Sequence, residues 1–585
     1  MRSASGRWVL AYNGEIYNHL QLRHQLEGDG AAPEWRGHSD TETLLACIEA
    51  WGVERTLKAS VGMFAIALWD RAERALYLAR DRIGEKPLYY GWQGETFLFG
   101  SELKALRAHS AFNASVDRGA LALLLRHNYV PAPYSIYQGI HKLPPGTWLR
   151  IGAGQREVAP VAYWSLAEVA ERGTAHPFEG SKAEALDELE RHLGNAVRGQ
   201  MVADVPLGAL LSGGIDSTVI TSLMQVNSSR PVRTFTIGFD EQQYDEANHA
   251  RAVADHLGTD HTELRLGSSD ALTLVPQLPS MYDEPFADAS QLPTHLVMKM
   301  AREHVTVALS GDAGDELFGG YNRYLLAPKV WRRTAWIPSS MRSSGARAAA
   351  RFPSHLVDRL PAALSRHMGV ARVGEKLQKL ARVLGGTDVH NIDDLYVSLT
   401  SEWRHADSMV KDGHMPANLL DTRSRWPRLA DPVARMMALD GLTYLPDDIL
   451  VKVDRAAMAA SLETRAPFLD RDVIEFAWSL PMHMKMFEGQ GKWLLRRLVD
   501  RHVPRALLER PKMGFAIPLD QWLRGPLRDW AEALLSEDRL EREGYLDPRP
   551  IRTAWLRHQR GEASFGNRLW SILMFQAWLE NERSI

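Results

Sequence analysis

The stretch Leu211-Ser212-Gly213-Gly214-Ile215-Asp216-Ser217, set in VPLGALLSGGIDSTVITSLM, constrains this chain more than any other. The apolar run from Val205 to Leu211 reads as a buried strand and Thr218 to Met224 as the start of a helix, which makes SGGIDS the turn between them. Such a turn suits a polyanion. Two glycines let the backbone approach a ligand and turn successive N–H groups inward, and the following helix offers free N–H groups and the positive end of its dipole. Ser212 and Ser217 add hydroxyl donors. Asp216 repels phosphate unless a cation stands between them, so it points to Mg²⁺.

A chain of 585 residues is expected to hold at least two domains. A net charge of −3 exerts no general pull on nucleic acid or anionic membrane. The single cysteine, Cys47, excludes an internal disulfide and a cysteine-based zinc cluster, and no apolar run reaches membrane-spanning length. The N-terminus lacks the apolar core of a signal peptide, so the expected location is the cytoplasm.

SGGxDS resembles the pyrophosphate-binding loop of the ATP pyrophosphatases, which attack ATP at the α-phosphorus to give an adenylated substrate and pyrophosphate. Ahead of it, Trp8 to Tyr12 reads as a strand entering a turn at Asn13-Gly14-Glu15. Ser39-Asp40-Thr41-Glu42 reads as a helix start, and strand-like runs follow at Met63 to Trp69, Ala75 to Asp81, Pro87 to Trp92 and Thr96 to Gly100. The segments NGEIYN, HSDTE, RDRIGEKPLYYG and GSELKAL together resemble the glutaminase domain of class II glutamine amidotransferases, specifically that of glutamine-hydrolysing asparagine synthetases. The resemblance runs to the C-terminus.

It implies a fold of two parts. Residues 1–150 form an N-terminal-nucleophile hydrolase-type β-sandwich, incomplete at its start. Residues 181–585 form an ATP-pyrophosphatase-type α/β domain with a parallel sheet and added C-terminal helices, and 112–180 connects the two. It also implies that Asn13 and Gly14 are oxyanion-hole donors and that Glu15 and Asp40 bind the α-amino end of glutamine. The family's nucleophile is a cysteine at the mature N-terminus, upstream of NGEIYN, whereas only Met1 to Tyr12 precede that motif here. Cys47, within the apolar helical run LLACI, reads as a core residue rather than a substitute. The chain as written is therefore expected to use ammonia and not glutamine. A start codon called too late, a true truncation and an ammonia-dependent form all stay open, with the first preferred because the downstream glutamine-binding residues are intact.

From 181 onward strands alternate with helices, which implies a parallel sheet with ligands at the carboxyl ends of its strands. Val205 to Leu211, Arg233 to Phe239, His261 to Leu266 and Val305 to Leu309 read as strands, with a helix at Tyr244 to Leu257. The loop Ser310-Gly311-Asp312-Ala313-Gly314-Asp315-Glu316 follows the last of these. Asp315 is expected to join Asp216 as a Mg²⁺ ligand. By the resemblance, Leu211, Ile237, Ser310 and Gly311 contact the nucleotide beside the phosphate-binding Ser212, Gly213, Gly214, Asp216 and Ser217. Asp312 is the acid associated with forming the acyl-adenylate, one methylene shorter than the glutamate of some relatives. Lys492 neutralises charge on the α-phosphate as pyrophosphate leaves.

Other charged groups read both ways. Glu316 is either a helix cap or functional, and Asp283, Glu284 and Asp288 suit ammonium-bearing groups or magnesium as well as surface caps. Most of Asp447, Asp448, Lys452, Asp454 and Arg455 read as a salt-bridge-laced helix. The basic stretch 330–382 reads as a solvated helical face.

The function implied is ATP- and Mg²⁺-dependent amidation of a carboxylate, aspartate by default, through an acyl-adenylate. Another acceptor (a sugar acid or a peptide carboxyl), a β-lactam-synthetase-like cyclase and a non-catalytic partner protein are the alternatives. Small molecules are the expected partners, with no nucleic acid or membrane; a homodimer is compatible with the pattern, and no motif specifies one.

Overall fold

The computed structural model describes residues 1–239, 247–266, 272–350, 389–509 and 517–584. Part of the helix expected from Tyr244, and the 351–382 portion of the basic stretch, lie outside them.

The first half is built on two antiparallel sheets. One has the order β1 (Trp8–Ile16), β2 (Gly62–Asp70), β3 (Ala75–Arg80), β7 (Thr147–Ile151), β8 (Val161–Ala162); the other has the order β5 (Thr96–Gly100), β4 (Tyr89–Gln93), β6 (Ile140–Lys142). Alternation along β2 explains the layering. Phe64, Ile66 and Leu68 pack against α1 (His19–Gly28) and α2 (Asp40–Trp51), whereas Ala65 and Ala67 face the second sheet, meeting Leu88 and Tyr90. On the far side of that sheet, Tyr89 and Leu98 join the core around α3 (Arg118–His127). The result is a helix–sheet–sheet–helix stack. The segment expected as a connector, 112–180, supplies α3, β6, β7 and β8.

The turn expected at Asn13-Gly14-Glu15 is instead the end of β1. Gly14 pairs with Phe64 across the ladder, and a Cβ on it would lie 2.7 Å from Phe64 Cα. The glycine therefore marks close approach of two strands, not a reversal.

The second half contains a parallel sheet of order β11 (Asp260–Leu266), β10 (Arg233–Phe239), β9 (Leu207–Leu210), β12 (Val307–Leu309), β13 (Glu463–Arg465). The chain winds outward from β9 through α4 (Ile215–Val226), β10 and α5 (Ala247–Leu257) to β11. After α6 (Gln291–Arg302) it returns to the opposite side of β9 as β12. The reversal of direction falls between β9 and β12, and in such sheets it opens a crevice at the strand ends. Both glycine-rich loops leave from there. The C-terminal segment packs through Trp522, Trp555, Trp570 and Trp578, all buried, with Trp530 half-buried.

Candidate active site

A cavity of about 1360 Å³ opens at the carboxyl ends of β9, β10 and β12. Leu211, Ser212, Gly213, Gly214, Asp216 and Ser217 line it after β9 and Ile237 within β10; Ser310, Gly311, Asp312 and Asp315 follow β12, and Lys492 enters from the C-terminal segment. All the expected nucleotide-site residues therefore share one cavity.

Local physics shapes the first loop. Gly213 has φ +69°, and a Cβ there would sit 2.9 Å from Ala250 N, so both backbone conformation and α5 exclude a side chain. Ser212 and Ser217 cross-brace the turn through their hydroxyls at 3.0 Å. Gly214 starts α4 with no side-chain cap, which leaves the helix's positive end to the cavity.

Lys492 is the electrostatic centre. It precedes α9 (Trp493–Val499) in the left-handed region, φ 59° and ψ 34°, with its N–H donating to Phe318 O at 2.9 Å. Phe318 ends α7 (Gly314–Phe318), the helix that follows β12. A non-glycine residue held there costs about 1–3 kcal/mol and is characteristic of functional positions. Its ammonium is 2.7 Å from Asp315 Oδ1 and contacts Asp216 Oδ2 as well. Burial opposes the charge, but these two carboxylates hold the Lys492 pKa above the usual lysine range. Two carboxylates converging on one ammonium form a donor pair that fits a phosphate-bound Mg²⁺, which takes one or two carboxylates and fills its other positions with phosphate and water.

Asp312 lies beyond this pair. Burial raises its pKa, while Ser310 and the charge of Lys452 pull it back. Glu316 is buried and accepts from the Tyr321 hydroxyl at 2.5 Å; burial, then Asp315, push its pKa up to about 7. It lines the cavity. Of the three acids at 283–288, only Asp288 lines the cavity, bound to Lys452 at 2.8 Å. Asp283 pairs with Arg455 at 2.7 Å and Glu284 with Lys142.

The charged helix α8 (Leu450–Ala459) carries the expected ion pairs, but they are buried or half-buried. Asp448, Asp454 and Arg455 are buried, and α8 divides its charges between the two halves of the molecule. Lys452 turns into the cavity, Asp454 pairs with Lys86 at 3.1 Å, and Arg455 donates to Ser101 O at 2.6 Å. Ser101 Oγ accepts in turn from Asn13 Nδ2 at 3.0 Å. A narrow cavity of about 20 Å³ lies at the same seam, where Met63, Glu85 and Lys86 face Asp312, Asp454 and Arg465.

The expected glutamine-binding residues cluster separately. Asp40 accepts from Tyr12 OH at 2.8 Å and Ile16 N at 3.0 Å, with Ser39 as the helix cap. Burial, then repulsion from Asp40, push Glu15 up to about 7, although Arg465 lies 3.8 Å away. Cys47, on α2, is fully buried in the cluster with α1 and β2, and burial pushes its thiol up to about 12. It is therefore a core residue and not a nucleophile at ordinary pH.

Sequence reasoning missed Arg323 and Tyr444 and read Asp448 among the salt-bridge-laced charges; all three line the large cavity. Asp448 and Lys452 are spaced i, i+4 and so share a helix face, a signal present in the sequence. Nothing local marks Arg323.

The asparagine synthase family matches residues 188–580, and the glutamine amidotransferase domain matches residues 1–164. A putative asparagine synthetase [glutamine-hydrolyzing] of Mycobacterium bovis is 35% identical over 581 residues, spanning 98% of this chain and 84% of that protein. Asparagine synthetase [glutamine-hydrolyzing] 1 of Bacillus subtilis is 30% identical over 579 residues, spanning 98% and 85%. Amidase chyE of Penicillium rubens is 26% identical over 577 residues, spanning 92% and 80%. With the two strand-end loops and the lysine between their carboxylates already in place, these matches identify the chain as a member of the asparagine synthase family, carrying a glutamine amidotransferase domain ahead of the synthase domain.

Proposed function

We propose that the chain is an ATP-dependent carbon–nitrogen ligase that converts aspartate to asparagine. The side-chain carboxylate attacks the α-phosphorus, pyrophosphate leaves, and ammonia displaces AMP from the acyl-adenylate. The observation that carries this reading is the convergence of Asp216, Asp315 and Lys492 at one point between the loops after β9 and β12.

Ser212, Gly213, Gly214 and Ser217 hold the pyrophosphate portion of ATP, with the dipole of α4 behind them. Buried Leu211 and Ile237 form an apolar wall for the adenosine, and Ser310 and Gly311 close the opposite side. Asp216 and Asp315 would hold Mg²⁺, which supplies charge neutralisation across the phosphates. Lys492, whose pKa keeps it cationic, stabilises the charge that develops at the α-phosphate. Asp312, with its raised pKa, takes the proton released when ammonia attacks.

In the first half, Asn13 and Gly14 serve as oxyanion-hole donors, and the Glu15–Asp40 pair attracts the α-ammonium of glutamine. The narrow cavity between Glu85, Lys86 and Asp312 supports an internal route for ammonia from that site to the synthetase site. The two domains are taken as 1–150 and 181–585, and the enzyme as cytoplasmic. Among the described residues no helix is long and apolar enough to cross a membrane.

The test is pyrophosphate release from ATP·Mg²⁺ with aspartate and ammonium, alongside direct assay of asparagine. Asp216→Ala should abolish both products. Pyrophosphate release by wild-type protein that does not depend on aspartate would refute the assignment.

A further inference from the structure

The phosphate and adenosine groups of ATP have partners in the site described above, but the amino-acid end of the acceptor has none assigned. One wall of the cavity carries two buried polar atoms of opposite character with unmet hydrogen bonds. The first is Arg323 Nη2, which has no acceptor among the described residues although Arg323 lines the cavity. Its guanidinium is anchored through Nε, which donates to Asp440 Oδ2 at 2.8 Å. Asp440 is fully buried and also accepts from the hydroxyls of Tyr396, at 2.7 Å, and Tyr324. The Tyr321 and Tyr444 rings lie 4.2 and 5.0 Å from the guanidinium carbon. Arg323 is therefore fixed by an ion pair and stacking, with one N–H-bearing nitrogen to spare.

The second atom is Asp448 Oδ1. Asp448 is 3% exposed, lines the cavity, and finds no donor for this oxygen among the described residues. It sits in a five-residue π-helical turn, Leu445–Ile449, immediately before α8. Such turns are rare and concentrate at functional sites. The nearest cation on the same face, Lys452, is committed to Asp288 at 2.8 Å and to Ser290 Oγ at 2.9 Å. Burial, then the Asp288 carboxylate, make a negative charge on Asp448 costly in the free protein, and Lys452, the Tyr444 hydroxyl and Arg323 offset only part of that cost. An incoming ammonium would relieve that cost. Unpaired buried donors and acceptors are expensive and uncommon in native proteins, and a ligand that pairs them is the economical explanation.

We propose that Arg323 and Asp448 clamp the amino-acid end of the acceptor, Arg323 Nη2 binding its α-carboxylate and Asp448 its α-ammonium, so that the second carboxylate is presented to the α-phosphorus. The ligand class is a zwitterionic α-amino acid with a side-chain carboxylate. Asp440 acts as the positioning residue for Arg323. The clamp rests on the ligase reading above and adds the residues that distinguish an amino acid from a plain dicarboxylate.

The experiment compares aspartate with succinate, which lacks the ammonium, and with 3-aminopropanoate, which lacks the α-carboxylate. Wild-type protein, Asp448→Asn and Arg323→Lys are each assayed by pyrophosphate release at saturating ATP and ammonium, with the KM for ATP measured separately. Wild type should prefer aspartate over either analogue by about a hundredfold or more in kcat/KM, as sites built to pair a polar group reject ligands lacking it. Asp448→Asn should lower kcat/KM for aspartate about a hundredfold, leave succinate nearly unchanged, and move the KM for ATP less than threefold. Arg323→Lys should do the same with respect to 3-aminopropanoate. Equal wild-type kcat/KM for aspartate and succinate would overturn the clamp without any variant. So would an Asp448→Asn loss that is the same for aspartate and succinate. Wild-type protein that turns over no aspartate at all would instead remove the ligase reading, and the clamp with it.

Discussion

Replacing Lys492 by methionine isolates the charge at the centre of the site, because methionine keeps the length and apolar stem of the side chain. In the native protein the ammonium sits 2.7 Å from Asp315 and against Asp216, and the lysine is 6% exposed. Removing one partner of a buried ion pair costs about 3–5 kcal/mol, because the remaining charge is left uncompensated. Here two carboxylates would be left facing each other, and one can escape part of the cost by taking up a proton. The folded-state pKa of that carboxylate is then raised above its unfolded value, so the folded state binds more protons in that window. Stability is retained at low pH and lost as pH rises through the raised pKa. Lys492→Met should therefore be close to wild type near pH 4 and about 3 kcal/mol less stable near pH 8, by urea unfolding. Added Mg²⁺ without nucleotide should restore part of that stability, since the carboxylate pair would be open to a cation. In catalysis, losing one preorganised electrostatic contact in the transition state should lower kcat for pyrophosphate release about 10²–10³-fold. Lys492→Arg should recover less than a tenth of the activity, because a planar guanidinium does not fit between two carboxylates placed for a point charge. A folded Lys492→Met protein with kcat within threefold of wild type would refute the reasoning, as would a stability deficit that does not change with pH.

Further outcomes follow from other residues. A Cβ on Gly320 would collide with Asp315 and Lys492 Cε, so Gly320→Ala should abolish pyrophosphate release while leaving the circular dichroism spectrum unchanged. Glu316, with a pKa of about 7 against an ordinary 4.5, binds a proton in the folded state where the unfolded chain has released it; stability should fall between pH 4.5 and 7, and Glu316→Gln should flatten that slope in unfolding curves measured across the range. Cys47, with its thiol pushed up to about 12, should resist iodoacetamide at pH 8 in the folded protein, and Cys47→Ala should retain wild-type ammonium-dependent asparagine formation; rapid alkylation would contradict its burial. Gly213→Ala should raise the KM for ATP at least tenfold, because a left-handed φ and the α5 backbone both oppose a Cβ; an unchanged KM would show that the loop can relax.

Elements with a strong local signature were legible. The strand Arg233–Phe239 has the bounds its alternation implied, and both glycine-rich loops fall at strand ends as the β–loop–α pattern required. The candidate nucleotide residues were legible for the same reason, since glycine, serine and aspartate at fixed offsets constrain a turn whatever surrounds it. Asn13-Gly14-Glu15 misled, because a glycine chosen for close strand approach has the same local appearance as one chosen for a turn. The charges of α8 misled in another way. In sequence they read as a salt-bridge-laced helix, and the pairing is there, but the partners lie far along the chain and the charges are buried, with Lys86 for Asp454 and Ser101 for Arg455.

The sequence by itself determined the glycine–serine–aspartate turn after β9 and the alternation that builds the parallel sheet, because both depend on spacings of a few residues. Only the tertiary structure decided which charges face the cavity. Arg323 is oriented by Asp440 and two tyrosine rings, and Asp448 by a π-helical turn packed beneath Tyr444 and beside Lys452. The physical reason is that a buried charge is defined by what surrounds it in space, and its ion-pair partner here lies more than a hundred residues away in the chain.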